Sequence, residues 1–182
     1  MLGESLLEVV RVADLDSVGD AKTVSTPLRA PVDCYDGADL MATPQIVIDT
    51  NVFISAQRSR RGAASKLLSL IGTGLFEVHI SVPLVLEYED VLLRQRQELG
   101  LTPEDVGDVI DAFCALAAPH EIFFLWRPFL RDPKDELLLE LAVKAQCGHI
   151  VTYNQRDFEG SEKFGIAVVT PGQLLHEIGV IP

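Results

Sequence analysis

From residue 45 onward, short apolar runs alternate with longer stretches that have the period of an amphipathic helix. This alternation is typical of βαβ units, in which strands of a parallel sheet are joined by helices. Strands are predicted at Gln45–Ile48, Glu77–Ile80, Glu121–Leu125, His149–Thr152 and Ile166–Val169. Helices are predicted at Ala63–Ile71, Val82–Gln97, Pro103–Ala117 and Pro133–Ala145. The sequence therefore predicts an α/β fold with a mainly parallel sheet.

The chain has two parts of different character. Its 182 residues, 48% of them apolar, suffice for one packed domain of ordinary size, which we place at residues 44–182. Residues 1–43 contain eight acidic and three basic residues and little sustained periodicity. Only Ser5–Val12 has the pattern of a short helix. We interpret residues 1–43 as an N-terminal extension that is loop-like or disordered.

Charge and cysteine content restrict the function and the compartment. With 15 Lys and Arg against 27 Asp and Glu, the net charge is −12, which excludes a protein that coats nucleic acid through general basicity. The three cysteines, Cys34, Cys114 and Cys147, form no C-x-x-C pair and favour a reducing cytoplasm. No apolar run approaches the roughly 18 residues of a membrane-spanning helix, so we expect no membrane association.

Acidic residues follow the ends of four predicted strands or open the helices after them. Asp49 ends the first strand, and Glu87 lies about one and a half turns into the helix after the second. Asp135 lies in the first turn of the helix after the third strand, and Asp157 follows the fourth. Because parallel strands present their carboxyl ends at one edge of the sheet, we expect these four carboxylates to meet there.

Each of these acids also has a structural interpretation. Asp49 alone is as consistent with a helix N-cap as with a ligand. Asp132 stands before a proline, as do the capping residues of two other predicted helices, so we interpret it as an N-cap. Asp135 at the third helical position is favourable to the helix dipole, and Asn154 or Asp157 is suited to a turn. The hypothesis of a shared site therefore depends on their conjunction.

Three or four carboxylates in one pocket repel one another strongly unless cations compensate their charge. Oxygen-only ligands select hard ions such as Mg²⁺ or Mn²⁺. The only histidine near the four strand ends in sequence is His149, which begins a strand, and this counts against zinc. The sequence therefore predicts a site for Mg²⁺ or Mn²⁺.

Four segments in order carry a more specific signal: Asp49-Thr-Asn-Val-Phe-Ile-Ser55, Pro83-Leu-Val-Leu-Glu87-Tyr88, Asp132-Pro-Lys-Asp135 and Val151-Thr-Tyr-Asn154-Gln-Arg-Asp157-Phe158. Together they resemble the PIN-domain ribonucleases, in particular the VapC-like toxins of toxin–antitoxin systems. The resemblance extends over about residues 45–175. It implies a Rossmann-like three-layer α/β/α sandwich with a central, mainly parallel sheet, and an acidic pocket that binds Mg²⁺ or Mn²⁺ and hydrolyses single-stranded RNA.

Carried over residue by residue, the resemblance assigns Asp49, Glu87 and Asp135 to the invariant acids of the family, and Asp157 to the acid after its fourth strand. Many members have an acid where this chain has Asn154, so either Asp157 supplies the last ligand or a second metal is held weakly. We expect Thr50 or Asn51 to orient the first carboxylate, while Asp132 remains mostly a cap. The resemblance also implies a homodimer and, for a toxin, an antitoxin protein whose segment covers the acidic pocket.

A basic segment follows the first strand and its short helix. It consists of Arg58, Arg60, Arg61 and, one turn further on, Lys66. We expect these side chains to rim the pocket and bind RNA phosphates, although a solvated run of charges explains them equally well. Further candidates for RNA contact are Arg94, Arg96, Trp126, Arg127 and Arg131.

Three other functions compete with the ribonuclease. A phosphatase of the haloacid-dehalogenase type also begins with an Asp after its first strand, but it needs a second acid two residues later, where this chain has Asn51. A nucleotide-binding module is disfavoured because the chain has no G-x-G-x-x-G or G-x-x-x-x-G-K-[ST] run. A PIN-like module that binds RNA or protein with attenuated catalysis is the non-enzymatic alternative, motivated by Asn154 and the acidic surface.

Overall fold

The α/β class is confirmed by a computed structural model, which describes residues 43–122, 129–130 and 132–182. Five strands form one sheet in the order β3-β2-β1-β4-β5, and every neighbouring pair is parallel. The strands are β1 (Gln45–Ile48), β2 (Glu77–Ser81), β3 (Ala118–His120), β4 (His149–Val151) and β5 (Ala167–Val169). The predicted helix Ser5–Val12 lies outside the described residues, as do Trp126, Arg127 and Arg131.

The predicted position of the third strand was wrong. The strand is Ala118–His120, and residues 121–122 of the predicted Glu121–Leu125 are not in a strand, while residues 123–125 lie outside the described part. β3 is at the edge of the sheet and pairs only with β2. An edge strand needs no continuous apolar run, and it tolerates Pro119, which has no backbone N–H to donate.

Helices lie on both sides of the sheet. They are α1 (Thr50–Arg58), α2 (Ala63–Leu68), α3 (Val82–Leu99), α4 (Pro103–Leu116), α5 (Pro133–Lys144) and α6 (Pro171–Glu177). The chain crosses from β1 through β2 to β3 and then returns past β1 to β4, so right-handed crossovers place α5 on the face opposite α1–α4. Among the helices of the described residues, none has the length and apolar character needed to cross a membrane.

An aromatic cluster joins the first strand to three helices. Phe53 of α1 stacks on Tyr88 of α3 with ring centroids 4.4 Å apart, and it meets Phe113 of α4 edge to face at 4.8 Å. All three rings are buried, and the Tyr88 hydroxyl donates a hydrogen bond to the carbonyl of Ile48. Ile48 precedes Asp49 and Tyr88 follows Glu87, so the cluster fixes the backbone positions of two predicted site residues relative to each other.

A chain of hydrogen bonds joins β1, β2 and β3. Gln45 Nε2 donates to the carbonyl of Thr43 at 2.8 Å, which leaves Gln45 Oε1 to accept from His79 Nε2 at 2.6 Å. His79 Nδ1 lies 2.7 Å from His120 Nε2, and a neutral His79 that donates from Nε2 to Gln45 accepts this second hydrogen bond at Nδ1. Burial and the neighbouring His120 lower the pKa of His79, against the opposing effect of Glu77.

We expect this histidine to make the fold sensitive to acid. Because the pKa of His79 is lower in the folded chain than its usual value of 6.5, the unfolded chain binds the extra proton. The contribution to the free energy of unfolding is complete above about pH 6.5 and is lost as the pH falls from there toward the folded-state pKa. Denaturant unfolding across this range should give a shallower pH dependence for His79→Gln than for the wild type.

The exposed His176 provides the matched control, since His176→Gln removes a histidine from the surface of α6. This variant should keep the wild-type pH dependence. Equal slopes for His79→Gln and the wild type would contradict the assigned role of His79.

Candidate metal centre

The site lies where the strand order reverses, between β1 and β4. In open parallel sheets, ligands bind outside the carboxyl ends of the strands at such a point. Asp49 directly follows β1 and Thr152 directly follows β4, and the Asp49 amide donates to the carbonyl of Val151 at 2.9 Å. The topology therefore places the first predicted carboxylate in the crevice where a parallel α/β sheet binds its ligands.

Asp49 is held by three side-chain and backbone donors. Thr152 Oγ1 and Asn51 Nδ2 each donate to Asp49 Oδ2 at 2.6 Å, and the Asn51 amide donates to Oδ1 at 3.2 Å. Asn51 Nδ2 also reaches Thr152 Oγ1 at 3.0 Å, which closes the network. Burial raises the pKa of Asp49, although the hydrogen bonds from Thr152 and Asn51 oppose the shift. Asp49 is thus both the N-cap of α1 and a fixed carboxylate.

Glu87 lies on the inward side of α3. Its neighbours on that side, Leu84 and Tyr88, are buried, and Glu87 itself is half-buried. Burial is the main cause that raises the pKa of the Glu87 carboxyl, while Lys134 lowers it. A carboxylate in this position is unfavourable unless a positive charge compensates it.

Thr50 is the second polar residue after β1, and it faces Glu87 rather than Asp49. Its hydroxyl lowers the pKa of Glu87. Thr50 Oγ1 is nevertheless buried without a hydrogen bond to any described residue. Of the two residues expected to orient the first carboxylate, Asn51 therefore makes hydrogen bonds to Asp49, and Thr50 interacts with Glu87.

Asp135 shows most directly that the acids share one electrostatic environment. Its pKa is raised from 3.8 to about 6, first by burial and then by the negative charges of four other side chains. These four are Asp49, Asp132, Asp157 and Glu87. The acids that follow four different strands therefore act on one another at the same edge of the sheet.

An open cavity of about 730 Å³ adjoins this edge. The residues that line it are Asp132, Asp135, Gln155, Arg156, Asp157 and Glu159. Asp157 and Arg156 come from the 3₁₀ turn Gln155–Phe158 after β4, and Asp135 from the first turn of α5. Among the described residues, a ligand in this cavity therefore meets four carboxylates and one guanidinium group.

The donor chemistry of this edge fits a hard divalent cation. Asp49, Glu87, Asp135 and Asp157 offer only oxygen ligands, and the Thr50 hydroxyl next to Glu87 is a further buried oxygen with no hydrogen bond to the described residues. In the described part of the chain, no three His, Cys, Asp or Glu side chains are close enough to bind one ion as they stand. Mutual repulsion between unneutralised carboxylates favours such a separation.

The structure does not bring the predicted basic residues to this cavity. Arg58 Nη2 donates to Gln95 Oε1 at 2.6 Å and lies 3.6 Å from Glu98 Oε2. A separate groove of about 590 Å³ contains the other three, and it shares no lining residue with the acidic cavity. The residues of that groove are Arg60, Arg61, Gly62, Ala63, Ser65, Lys66, Ser69, Leu175 and Ile181.

Two other candidates for RNA contact form hydrogen bonds within their own helix, α3. Arg94 Nη2 donates to the carboxylate of Asp90, one turn earlier in the helix. Arg96 Nη1 donates to the carbonyl of Leu93 at 2.8 Å. Among the described residues, the basic side chain that lines the acidic cavity is Arg156.

Sequence reasoning missed Thr152 and the cavity residues Gln155, Arg156 and Glu159. A signal for Thr152 existed, because it ends a predicted strand and strand ends are where ligands of a parallel sheet are found. Asn154, which stands where many family members have an acid, is exposed, and its backbone N–H donates a hydrogen bond to Thr152 Oγ1 at 2.9 Å.

The all-parallel sheet, its helices on both faces and the carboxylates at the reversal of strand order define a Rossmann-like α/β domain with an acidic edge. Residues 45–156 match the model of the PIN domain, and the chain therefore belongs to the PIN domain family. PIN domains are generally metal-dependent nucleases. No curated protein matches the sequence.

Asp132 caps α5 through a hydrogen bond from the Lys134 amide to Asp132 Oδ1 at 2.9 Å. We expect Asp132→Ala to lower the free energy of unfolding by about 0.5–2 kcal/mol, because it leaves this amide without its side-chain acceptor. Asp132→Asn should change it by no more than a few tenths, since Asn caps helices as well as Asp does. Denaturant unfolding of both variants checks this, and equal losses would show that charge rather than capping is what Asp132 contributes.

Proposed function

We propose that the protein is an endoribonuclease that depends on Mg²⁺ or Mn²⁺ and cleaves phosphodiester bonds of single-stranded RNA. The observation that carries this proposal is the raised pKa of Asp135, to about 6, through the charges of four other acids at one sheet edge. Such an accumulation is costly in the apo protein and becomes favourable when a cation binds. Membership of the PIN domain family supports nuclease chemistry for the domain as a whole.

Asp49, Glu87, Asp135 and Asp157 are the residues that we propose hold the metal. When bound, the ion supplies a lowered pKa for a coordinated water and compensates negative charge on the scissile phosphate. Thr152 and Asn51 act as positioning residues, since their hydrogen bonds fix the orientation of the Asp49 carboxylate.

Arg156 is a cation that the described part of the chain supplies to the cavity. We propose that its guanidinium group binds a phosphate of the strand next to the scissile bond, because a planar guanidinium pairs well with phosphate oxygens. This role belongs to substrate binding and leaves the metal ligands unaffected.

The test uses the full chain with an unstructured RNA and a DNA of the same sequence. Cleavage of the RNA should require Mg²⁺ or Mn²⁺, stop on chelation and exceed cleavage of the DNA. Calorimetry with Mn²⁺ gives an independent readout. Binding of Mn²⁺ without cleavage would favour the binding module with attenuated catalysis, and failure to bind Mn²⁺ at millimolar concentration would overturn the metal centre.

The non-enzymatic alternative has one specific observation in its favour. Asn154 supplies no carboxylate where the family often has one, and its side chain is exposed. A site that lacks this ligand binds a second cation less tightly. We therefore propose one tightly held ion, with a second recruited together with the substrate phosphate.

We further propose that this ribonuclease is the toxin of a toxin–antitoxin pair, that it acts in the cytoplasm and that it forms a homodimer. The resemblance to VapC-like toxins suggests these roles. Two exposed apolar residues of α3 next to Glu87 support a protein partner: the exposed fraction is 70% for Val82 and 57% for Leu86. Light scattering of Leu86→Lys should show a smaller mass than the wild type, and a wild-type monomer would overturn the homodimer.

The antitoxin is tested separately through the gene neighbourhood. A small adjacent reading frame that encodes a DNA-binding protein, and whose product inhibits RNA cleavage, would support the toxin. If the product of the adjacent frame leaves cleavage unchanged, the toxin role is overturned while the ribonuclease stands.

A further inference from the structure

An aromatic patch lies beside the acidic cavity, and the metal centre does not account for it. We define this patch as Phe129, Lys163 and Phe164. The two rings meet edge to face with centroids 5.2 Å apart, and each residue is 40% exposed. Lys163 Nζ lies 5.2 Å from the centroid of the Phe129 ring, within the range of a cation–π contact.

The patch is fixed to the helix that carries Asp135. Glu136, the next residue of α5, is buried and accepts hydrogen bonds through Oε2 from the amides of Phe129 at 3.0 Å and Leu130 at 2.7 Å. These charge-assisted bonds hold the backbone of Phe129 at a set position relative to the first turn of α5. Phe129 and Asp135 are thus parts of one rigid arrangement.

Gly160 lets the ring of Phe129 pack closely against the backbone next to Glu159. Its φ of +99° is in the left-handed region that favours glycine, and a Cβ at this position would lie 2.8 Å from Phe129 Cε1. Gly160 directly follows Glu159, which lines the acidic cavity. The aromatic patch and the cavity are therefore neighbouring parts of one surface.

We propose that the aromatic patch stacks an unpaired base of the RNA strand whose phosphate enters the acidic cavity. Aromatic side chains stack any base through its π face, and neighbouring cations bind the flanking phosphates. On a protein of net charge −12, Lys163 at the patch and Arg156 in the cavity supply that cationic chemistry locally. A base inside a duplex is already paired and stacked, so the patch selects single strands. This inference rests on the proposed ribonuclease function and adds to it a subsite for one base of the RNA strand.

The test measures binding of a short oligoribonucleotide that contains 2-aminopurine, a base whose fluorescence is quenched by stacking. The full-length protein carries Asp49→Asn, so that the probe survives in the presence of Mg²⁺. Phe164→Ala should weaken binding about tenfold and abolish the quenching, because it removes one stacking surface. Phe164→Tyr keeps a ring and should bind like the parent protein.

Two controls separate stacking from other causes. Leu75 is also 40% exposed and lies outside the patch, so Leu75→Ala should leave the affinity unchanged. An abasic oligonucleotide with the same phosphates should bind Phe164→Ala and the parent protein equally. Unchanged affinity of Phe164→Ala for the base-containing probe would overturn the proposal, as would absence of binding by the parent protein.

Failure of this inference and failure of the proposed function give different results. A wild-type protein that cleaves RNA, together with a Phe164→Ala variant of unchanged affinity, overturns only the stacking role. A protein that stacks the probe but does not cleave RNA with Mg²⁺ or Mn²⁺ overturns the ribonuclease and leaves the aromatic patch as a binding surface.

Discussion

Replacing Asp135 by Asn should lower metal-dependent RNA cleavage more than about a hundredfold, because the loss of groups that merely support a metal ligand already costs 10–100-fold. Asp49→Asn should have an effect of similar size. Initial rates with Mg²⁺ and Mn²⁺ measure both. Asp132→Asn is the matched control, since it removes a charge at the same helix end and keeps the cap. An inactive Asp132→Asn beside a fully active Asp135→Asn would reverse the assignment of ligand and cap.

Asp135→Asn should also stabilise the metal-free protein. The pKa of Asp135 is raised from 3.8 to about 6, so the folded state is favoured where this carboxyl is protonated and is disfavoured as the pH rises through 6. In a chelator, Asp135→Asn should therefore melt at a higher temperature than the wild type above pH 6, and the difference should vanish near pH 4. Added Mn²⁺ should raise the melting temperature of the wild type more than that of the variant.

Replacing Phe53 by Ala should lower the free energy of unfolding by about 3–5 kcal/mol, the usual cost of truncating a fully buried aromatic side chain. Phe53 is 0% exposed, and the substitution removes its ring contacts with both Tyr88 and Phe113. Chemical denaturation measures the loss. Gln97→Ala, at an exposed position near the end of α3, should change stability by less than about 0.5 kcal/mol. Comparable losses in the two variants would contradict the packing role of the aromatic cluster.

The sequence was informative wherever a strand is buried on both faces. β1 and the start of β4 coincide with continuous apolar runs, and the predicted Gln45–Ile48 is the observed strand. β3 was misplaced because Ala118-Pro-His120 lacks the β-branched and aromatic residues typical of strands, whereas the run that follows it in sequence, Ile122-Phe-Phe-Leu125, has them. Helix starts were predicted closely, since Thr102 and Thr170 form capping boxes that depend only on local sequence. The ends of the helices differ by one to three residues, as fraying termini usually do.

For the candidate site, strand ends point to the four carboxylates that lie at one sheet edge, but not to their hydrogen-bond partners. Asp49 and Asp135 follow visible strand and helix signals, whereas the bond from Thr152 to Asp49 depends on β4 lying beside β1. That pairing is set by the topology of the whole sheet, which local sequence patterns do not encode. The separation of the basic groove from the acidic cavity has the same origin, since it follows from where α2 and α6 pack.

The hydrogen bonds from Thr152 to Asp49 and from Asn51 to Thr152 join residues about a hundred positions apart in sequence. Asp49 and Asn51 follow β1, whereas Thr152 follows β4. Contacts of this range form late, because a long loop must close before they contribute to stability. During synthesis, a nascent chain that has emerged only as far as α4 contains Asp49 and Glu87 but neither Asp135 nor Asp157. The acidic edge is therefore completed only after β4 has left the ribosome, and until then the polypeptide has no complete site for the proposed cleavage of RNA, including the RNA that encodes it.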